Sequence, residues 1–238
     1  MLGIKKILSQ VRKAIQDFEM IQAGDRIAVG VSGGKDSLTL LVALKQLQSF
    51  YPKKFEIEAI TLTMGIGEFD LTPVKKLCAD IGVNYTIEDT LIGKIVFEVR
   101  NEKNPCSLCA NLRRGALNNA ALGLNCNKVA LAHNKDDVIE TLLLSTLYEG
   151  RMHTFSPVTY LKRKGLYLIR PLIYTEEWQT RGFVKEHNLQ IVPSPCHVNG
   201  KTKRQYIKEL LQEITKENRD AKSNIFGAIK RSGIDEWH

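Results

Sequence analysis

Arg26-Ile27-Ala28-Val29-Gly30-Val31-Ser32-Gly33-Gly34-Lys35-Asp36-Ser37 runs from an apolar stretch through two consecutive glycines into hydroxyl and charged residues. The apolar part reads as a strand, the Ser-Gly-Gly turn as a loop, and the chain from about Ser37 as a helix. Successive main-chain N–H groups in such a turn can point inward together as an anion nest, because glycine accepts dihedrals that a side chain forbids. The helix adds its positive N-terminal end and its unpaired N–H groups. Lys35 supplies a cation and Ser32 and Ser37 supply hydroxyls, so Gly30, Val31 and the nest Ser32, Gly33, Gly34 form a loop built to hold phosphate.

Spacing decides which phosphate loop this is. A Walker A loop anchored on Gly34-Lys35 needs glycine five residues before Gly34 and Ser or Thr after Lys35. The chain has Val29 and Asp36 there. A carboxylate beside a nest repels a triphosphate unless Mg²⁺ lies between them, so Asp36 indicates a metal-bridged nucleotide. The loop resembles the SGGxDS signature of the PP-loop, or N-type ATP pyrophosphatase, superfamily. That resemblance implies cleavage of ATP between the α and β phosphates and adenylation of a carbonyl oxygen.

Upstream, Ile4, Ile7, Leu8, Val11, Ile15 and Phe18 recur at helical spacing and predict an amphipathic helix over about 3–21. Downstream, the patterning predicts helices over 38–49, from Thr72-Pro73 to Gly82, over about 107–122, 136–148 and 175–187. Strands are predicted over 27–31, 55–64, 83–88, 128–133 and 166–170, with a short apolar stretch at 190–192. This alternation predicts an α/β fold, a parallel sheet with helices on both faces. Right-handed crossovers then bring the loops after the strands to one edge, gathering residues 32–37, 63–67 and 133–137. Residues 1–200 are expected to form one domain and 201–238 a helical appendage, where Tyr206, Ile207, Leu210, Leu211 and Ile214 mark an amphipathic helix.

The 238 residues can bury one substantial core, and 43% hydrophobic with 25% charged residues is ordinary for a globular chain. No run approaches the roughly 18 apolar residues of a membrane span, and the N-terminus does not read as a signal peptide. A cytoplasmic protein without membrane contact is expected. The formal charge of +8 favours a polyanionic partner. Five cysteines suggest metal or redox chemistry in preference to a disulfide framework.

Ala132-His133-Asn134-Lys135-Asp136-Asp137-Val138-Ile139-Glu140-Thr141 lies at a strand-to-helix junction on the same predicted edge. Asn134 or Asp136 can cap the helix. Asp137 is a second carboxylate that can share Mg²⁺ with Asp36 or orient an attacking group. A third constellation is Cys106-Ser-Leu-Cys109-Ala-Asn-Leu-Arg113-Arg114-Gly115 with the distant Cys196. A C-x-x-C at a helix start suits a redox pair, a zinc half-site or part of an iron–sulfur site. Cys78 and Cys126 read as buried small apolar residues.

The segments Asp17 to Asp25, CSLCxxLRRG, HNxDDxxET, Ile169-Arg170-Pro171-Leu172 and the third cysteine together resemble the tRNA 2-thiocytidine synthetase family, over nearly the whole chain. The resemblance implies ATP, Mg²⁺, a four-iron four-sulfur cluster on Cys106, Cys109 and Cys196, and replacement of a pyrimidine C2 oxygen by sulfur in tRNA. It implies nucleotide contacts from Gly30, Val31, Ser32, Asp36, Leu62, Ala132 and Asp137, with Lys35, Asp36 and Asp137 in the chemistry. Expected partners are tRNA, a sulfur donor (a cysteine desulfurase or inorganic sulfide) and, as one option, a second copy of the chain. Arg113, Arg114, Lys203 and Arg204 are expected to clamp RNA phosphates. Two departures stand out: His197 follows the third cysteine where a glycine is common, and Gly65-Ile-Gly67-Glu68 is similar to the thiouridine-forming branch. The competing readings are 2-thiouridine synthesis, or a metal-bound RNA-binding or redox module without turnover.

Overall fold

The computed structural model describes residues 2–100, 105–196 and 202–237. Its elements are α1 (Leu2–Asp17), β1 (Arg26–Gly30), α2 (Lys35–Phe50), β2 (Glu56–Leu62), α3 (Thr72–Asp80), β3 (Asn84–Glu88), a helical turn α4 (Ile92–Lys94) that runs into a π-helical turn (Ile95–Val99), and α5 (Pro105–Gly123). There follow β4 (Lys128–Ala130), α6 (Lys135–Glu149), β5 (Val158–Leu161), β6 (Leu166–Ile169), α7 (Glu177–Glu186), α8 (Lys203–Glu217) and α9 (Ala221–Ser232). The sheet order is β3-β2-β1-β4-β6-β5, with every pairing parallel except β5 against β6.

β1 is central because both of its faces are apolar. Ile27 and Val29 point into the larger core, shared with α1, α2, α6 and α7, while Ala28 points into a smaller one with Ile60, Val129, Leu168 and Ala121 of α5. All three β1 residues are fully buried, as expected of a parallel strand covered by helices on both sides. A third cluster, Met64, Ile92 and Val96, packs against Leu108, Cys109 and Leu112 and so seats the cysteine end of α5. Ile207, Leu211, Phe226, Ile229 and Trp237 of the C-terminal segment enter the larger core, and Trp237 Nε1 donates to the Phe155 carbonyl at 3.1 Å.

The parallel sheet with helices on both faces is as expected, with one addition. Val158–Leu161 forms an antiparallel edge strand inside a stretch whose basic residues dominate the sequence pattern. Lys164 and Gly165 both donate to the Leu161 carbonyl, closing the hairpin with Gly165 at φ 62°. The helical turns between Ile92 and Val99 are a second addition. β2 and β4 end earlier than their apolar runs, and the surplus residues 63–64 and 131–133 become loop at the sheet's C-terminal edge. No helix among the described residues is long and apolar enough to cross a membrane.

Candidate active site

The loop after β1 is held by its own hydroxyls. Ser32 N–H donates to Ser37 Oγ at 3.1 Å, Gly34 N–H to Ser32 Oγ at 3.4 Å, and Ser37 Oγ to the Gly34 carbonyl at 2.9 Å. Gly33 sits at φ +78°, and a Cβ there would lie 2.8 Å from Val192 Cβ. Val192 N–H donates to the Gly33 carbonyl at 3.0 Å, and Pro195 packs against Gly67. The apolar stretch at 190–192 is therefore no strand; it ties the segment carrying Cys196 to the loop.

Asp36 opens α2 and accepts from Lys35 Nζ at 2.8 Å, Thr180 Oγ1 at 2.6 Å and Asn134 Nδ2 at 3.3 Å. Asn134 is the N-cap of α6 in a capping box: Asp137 N–H donates to Asn134 Oδ1 at 3.1 Å, and Asn134 N–H to Asp137 Oδ2 at 2.9 Å. Asn134 thus joins the two carboxylates named from the sequence. Burial, reinforced by the Asp36 charge, pushes the Asp137 carboxyl up to about 6 against the opposing pull of the Asn134 backbone and Arg204. Asp136 lies beside them and is already paired, accepting from Glu177 N–H at 2.7 Å and Lys222 Nζ at 2.6 Å.

Glu140 and Glu177, which the sequence did not single out, complete this end of the site together with Arg204 and Lys208 of α8. Glu140, one turn beyond Asp137, is buried, and desolvation together with Asp137 pushes it up to about 7. Arg204 Nη1 reaches it at 3.2 Å and lies 3.9 Å from Asp137. Glu177 takes Lys208 Nζ at 2.5 Å and Lys35 Nζ at 3.0 Å; these bonds outweigh burial and hold it down at about 2. Lys35, Asp36, Asn134, Asp137, Glu140, Glu177, Arg204 and Lys208 line one cavity of about 250 Å³. The i, i+3 spacing of Asp137 and Glu140 was the available signal, while Glu177 and Lys208 come from distant parts of the chain.

A second cleft, about 260 Å³, opens between the sheet edge and α5. Gly30, Val31, Ser32 and Leu62 line it with Arg113 and Arg114, whereas Ala132 falls between two lining residues, Leu131 and His133. Cys106 and Cys109 stand one turn apart at the start of α5, and Cys196 approaches from the segment tied to Gly33. Burial raises the Cys109 thiol, Arg113 lowers it, and the neighbouring Cys196 and Cys106 raise it further. Among the described residues no three His, Cys, Asp or Glu converge in ligating geometry. Cys106 and Cys196 both act on Cys109, and three cysteines suit a cluster that leaves one iron open better than a closed zinc site, which needs a fourth ligand. For Mg²⁺, Asp36 and Asp137 fit the usual pattern of one or two carboxylates completed by phosphates and water. Cys78 and Cys126 are buried, and desolvation drives both thiols to about 11.

The basic residues separate. Arg113 and Arg114 face the cleft, Arg204 faces the carboxylates, and Lys203 Nζ lies 4.5 Å from the Tyr148 ring centroid. Arg170 is buried and donates to the Ser156 carbonyl and Thr159 Oγ1. His197 and Lys201 lie outside the described residues.

A glycine-paired anion nest at a strand-to-helix junction, flanked by carboxylates and by a cleft under the helix that carries Cys106 and Cys109, defines a nucleotide-binding α/β protein of the PP-loop class. The chain belongs to the tRNA-cytidine(32) 2-sulfurtransferase family of PP-loop proteins: the family model described as "PP-loop domain" matches residues 5–214, and curated relatives carry that name. One from Geobacter metallireducens is 37% identical over 228 residues, 94% of this chain and 89% of its own. One from Geotalea daltonii is 38% identical, covering 94% and 90%. Among solved structures, the U34-tRNA thiolase of Methanococcus maripaludis with its [4Fe-4S] cluster superposes with TM-score 0.81 at 25% identity, covering 97% of this chain and 79% of that one. An NH3-dependent NAD synthetase from Campylobacter jejuni shares the fold at TM-score 0.53 and 16% identity. The expected fold and family are borne out.

Proposed function

We propose that this chain is an ATP-dependent tRNA sulfurtransferase that replaces the C2 oxygen of cytidine 32 with sulfur. The observation that carries the reading is the hydrogen bond from Val192 to Gly33, which brings the Cys196 segment to the phosphate loop, opposite the cysteines of α5. Cytidine is favoured over uridine by the name of the sequence relatives, at 37–38% identity, against a uridine thiolase at 25%.

The nest from Ser32 to Ser37 receives the β and γ phosphates, with Lys35 neutralising charge as it develops. Asp36 and Asp137 would hold Mg²⁺, which shields the departing pyrophosphate. The pyrimidine C2 oxygen attacks the α phosphorus, the bond to the bridging oxygen breaks, and pyrophosphate leaves. Sulfide then adds at C2 and expels AMP. Cys106, Cys109 and Cys196 would hold a four-iron four-sulfur cluster, which supplies an open iron for sulfide. Arg113 and Arg114 hold RNA phosphate beside the cleft, and a cysteine desulfurase or inorganic sulfide supplies the sulfur.

Nucleoside mass spectrometry tests the reading. Anaerobically purified protein given ATP, Mg²⁺, sulfide and unmodified tRNA should form 2-thiocytidine at position 32. Formation of 2-thiouridine instead, or ATP binding without any thiolated nucleoside, overturns it.

A further inference from the structure

The first turn of α7 meets both charged residues of the phosphate loop. Glu177 takes Lys35 Nζ at 3.0 Å, and on the next turn of the same helix Thr180 Oγ1 donates to Asp36 Oδ1 at 2.6 Å. This end of α7 is itself pinned to the start of α6. Lys135 N–H donates to the Thr175 carbonyl at 2.8 Å, Lys135 Nζ to Glu176 Oε1 at 2.8 Å, and Glu177 N–H to Asp136 at 2.7 Å. Thr180 therefore stands on a fixed element, 144 positions along the chain from the carboxylate it reaches.

A threonine inside a helix ordinarily bonds back to a carbonyl one turn earlier. Thr180 Oγ1 does lie 2.9 Å from the Glu177 carbonyl, but its hydroxyl has one proton and two acceptors in reach. The shorter contact goes to the carboxylate and falls in the range of a charge-assisted O–H···O⁻ bond, the stronger of the two kinds. Thr180 is fully buried while Asp36 lines the cavity, so the threonine touches no ligand and acts through Asp36 alone. The two oxygens of Asp36 differ in consequence. Oδ1 receives Thr180 and, at 3.3 Å, Asn134 Nδ2, from the starts of α7 and α6. Oδ2 has, among the described residues, the Lys35 ammonium on its flexible stem.

We propose that Thr180 is a positioning residue for the metal that accompanies the nucleotide: it fixes the Asp36 carboxylate through Oδ1 and leaves Oδ2 as the oxygen that Mg²⁺ takes over from Lys35. The terminal torsion of an aspartate is broad, so donors have to set the plane of its carboxylate. Without the hydroxyl that plane is ordered only when the metal binds, and the cost falls on metal affinity. The inference rests on the assignment of Asp36 to Mg²⁺ in the function proposed above, and on neither tRNA nor sulfur.

Calorimetry of ATP binding over a Mg²⁺ series, without tRNA, tests this. Thr180→Val keeps the shape and removes the donor, and Thr180→Ser keeps the donor. The valine variant should need about tenfold more Mg²⁺ to reach the midpoint of the dependence, with its ATP affinity in EDTA unchanged, and the serine variant should keep the parental midpoint. In an Asp36→Asn background Thr180→Val should shift the midpoint no further. The proposal is overturned by an unshifted midpoint in a folded valine variant, by an equal loss of affinity in EDTA, or by a serine variant that behaves like valine. ATP binding by the unaltered chain that ignores Mg²⁺ overturns it as well. Should thermal melting show that Thr180→Val does not fold, Thr180→Ala carries the same expectations. Absence of thiolation in a chain with a normal Mg²⁺ midpoint would remove the sulfurtransferase reading and leave the Thr180 comparison intact.

Discussion

Val192 donates its backbone N–H to the Gly33 carbonyl at 3.0 Å, and the same valine fills the space where a Cβ on residue 33 would stand. One contact thus joins the phosphate loop to the segment that delivers Cys196. Gly33→Ala puts a Cβ 2.8 Å from Val192 Cβ at φ +78°. It should cost about 1–3 kcal/mol of backbone strain and weaken both ATP binding and iron retention. Calorimetry with ATP and iron analysis on one preparation check this. Weakened ATP binding with full iron content would show that the two halves are not coupled through Val192.

Asp36→Asn and Asp137→Asn should each lower tRNA-dependent pyrophosphate release by about a hundredfold or more with little change in melting temperature. The fold survives because an asparagine at 137 still offers an oxygen to Asn134 N–H, so the cap of α6 is kept. A pyrophosphate assay gives the answer directly. Unaltered rates would remove that carboxylate from the reaction.

Glu140 carries a pH signature. Its carboxyl sits at about 7, above the ordinary 4.5, so the folded chain holds a proton there that the unfolded chain has released. Stability therefore falls as pH rises from about 4.5 through 7, and the loss is complete above that range. Glu140→Gln removes the penalty. The variant should match the parent near pH 5 and exceed it by the order of 1–3 kcal/mol near pH 8, measured by urea unfolding. Equal stability at the higher pH would mean that Arg204, 3.2 Å away, already offsets the burial.

The phosphate loop was legible because its chemistry is local: strand, nest and helix start occupy twelve consecutive residues. Asp137 was legible through its place at a second strand-to-helix junction. Glu177, Lys208 and the true partner of Arg204 were not, since their contacts join α7 to α8 and to Lys35 of α2, and α8 to Glu140 of α6, elements that no local pattern brings together. β5 escaped for a different reason. Four residues at an edge bury little, and the basic turn that follows carries the stronger compositional signal.

Cys106→Ala, Cys109→Ala and Cys196→Ala should each lose most iron and the associated visible absorption under anaerobic preparation. Cys78→Ala and Cys126→Ala should keep both. The latter two thiols are pushed to about 11 by burial in the core, where they are neither thiolate nor accessible. Stoichiometric zinc without labile sulfide in the parent would rule out the cluster.

Lys203 and Arg204, adjacent in sequence, should behave as opposites. Lys203 lies over the Tyr148 ring and its ammonium is available to a phosphate backbone, whereas Arg204 is spent on Glu140 and Thr141. Lys203→Glu should weaken tRNA binding and flatten its salt dependence by about one unit of slope for each phosphate that is no longer neutralised, leaving ATP affinity intact. Arg204→Glu sets a new negative charge beside Glu140 and Asp137. It should weaken ATP and pyrophosphate binding, while its effect on tRNA affinity stays small. Filter binding over a salt series and nucleotide calorimetry on the two single variants separate the roles. If Arg204→Glu shifts the salt slope and leaves the nucleotide untouched, the guanidinium leaves the carboxylates when tRNA arrives and both residues belong to one RNA-binding face.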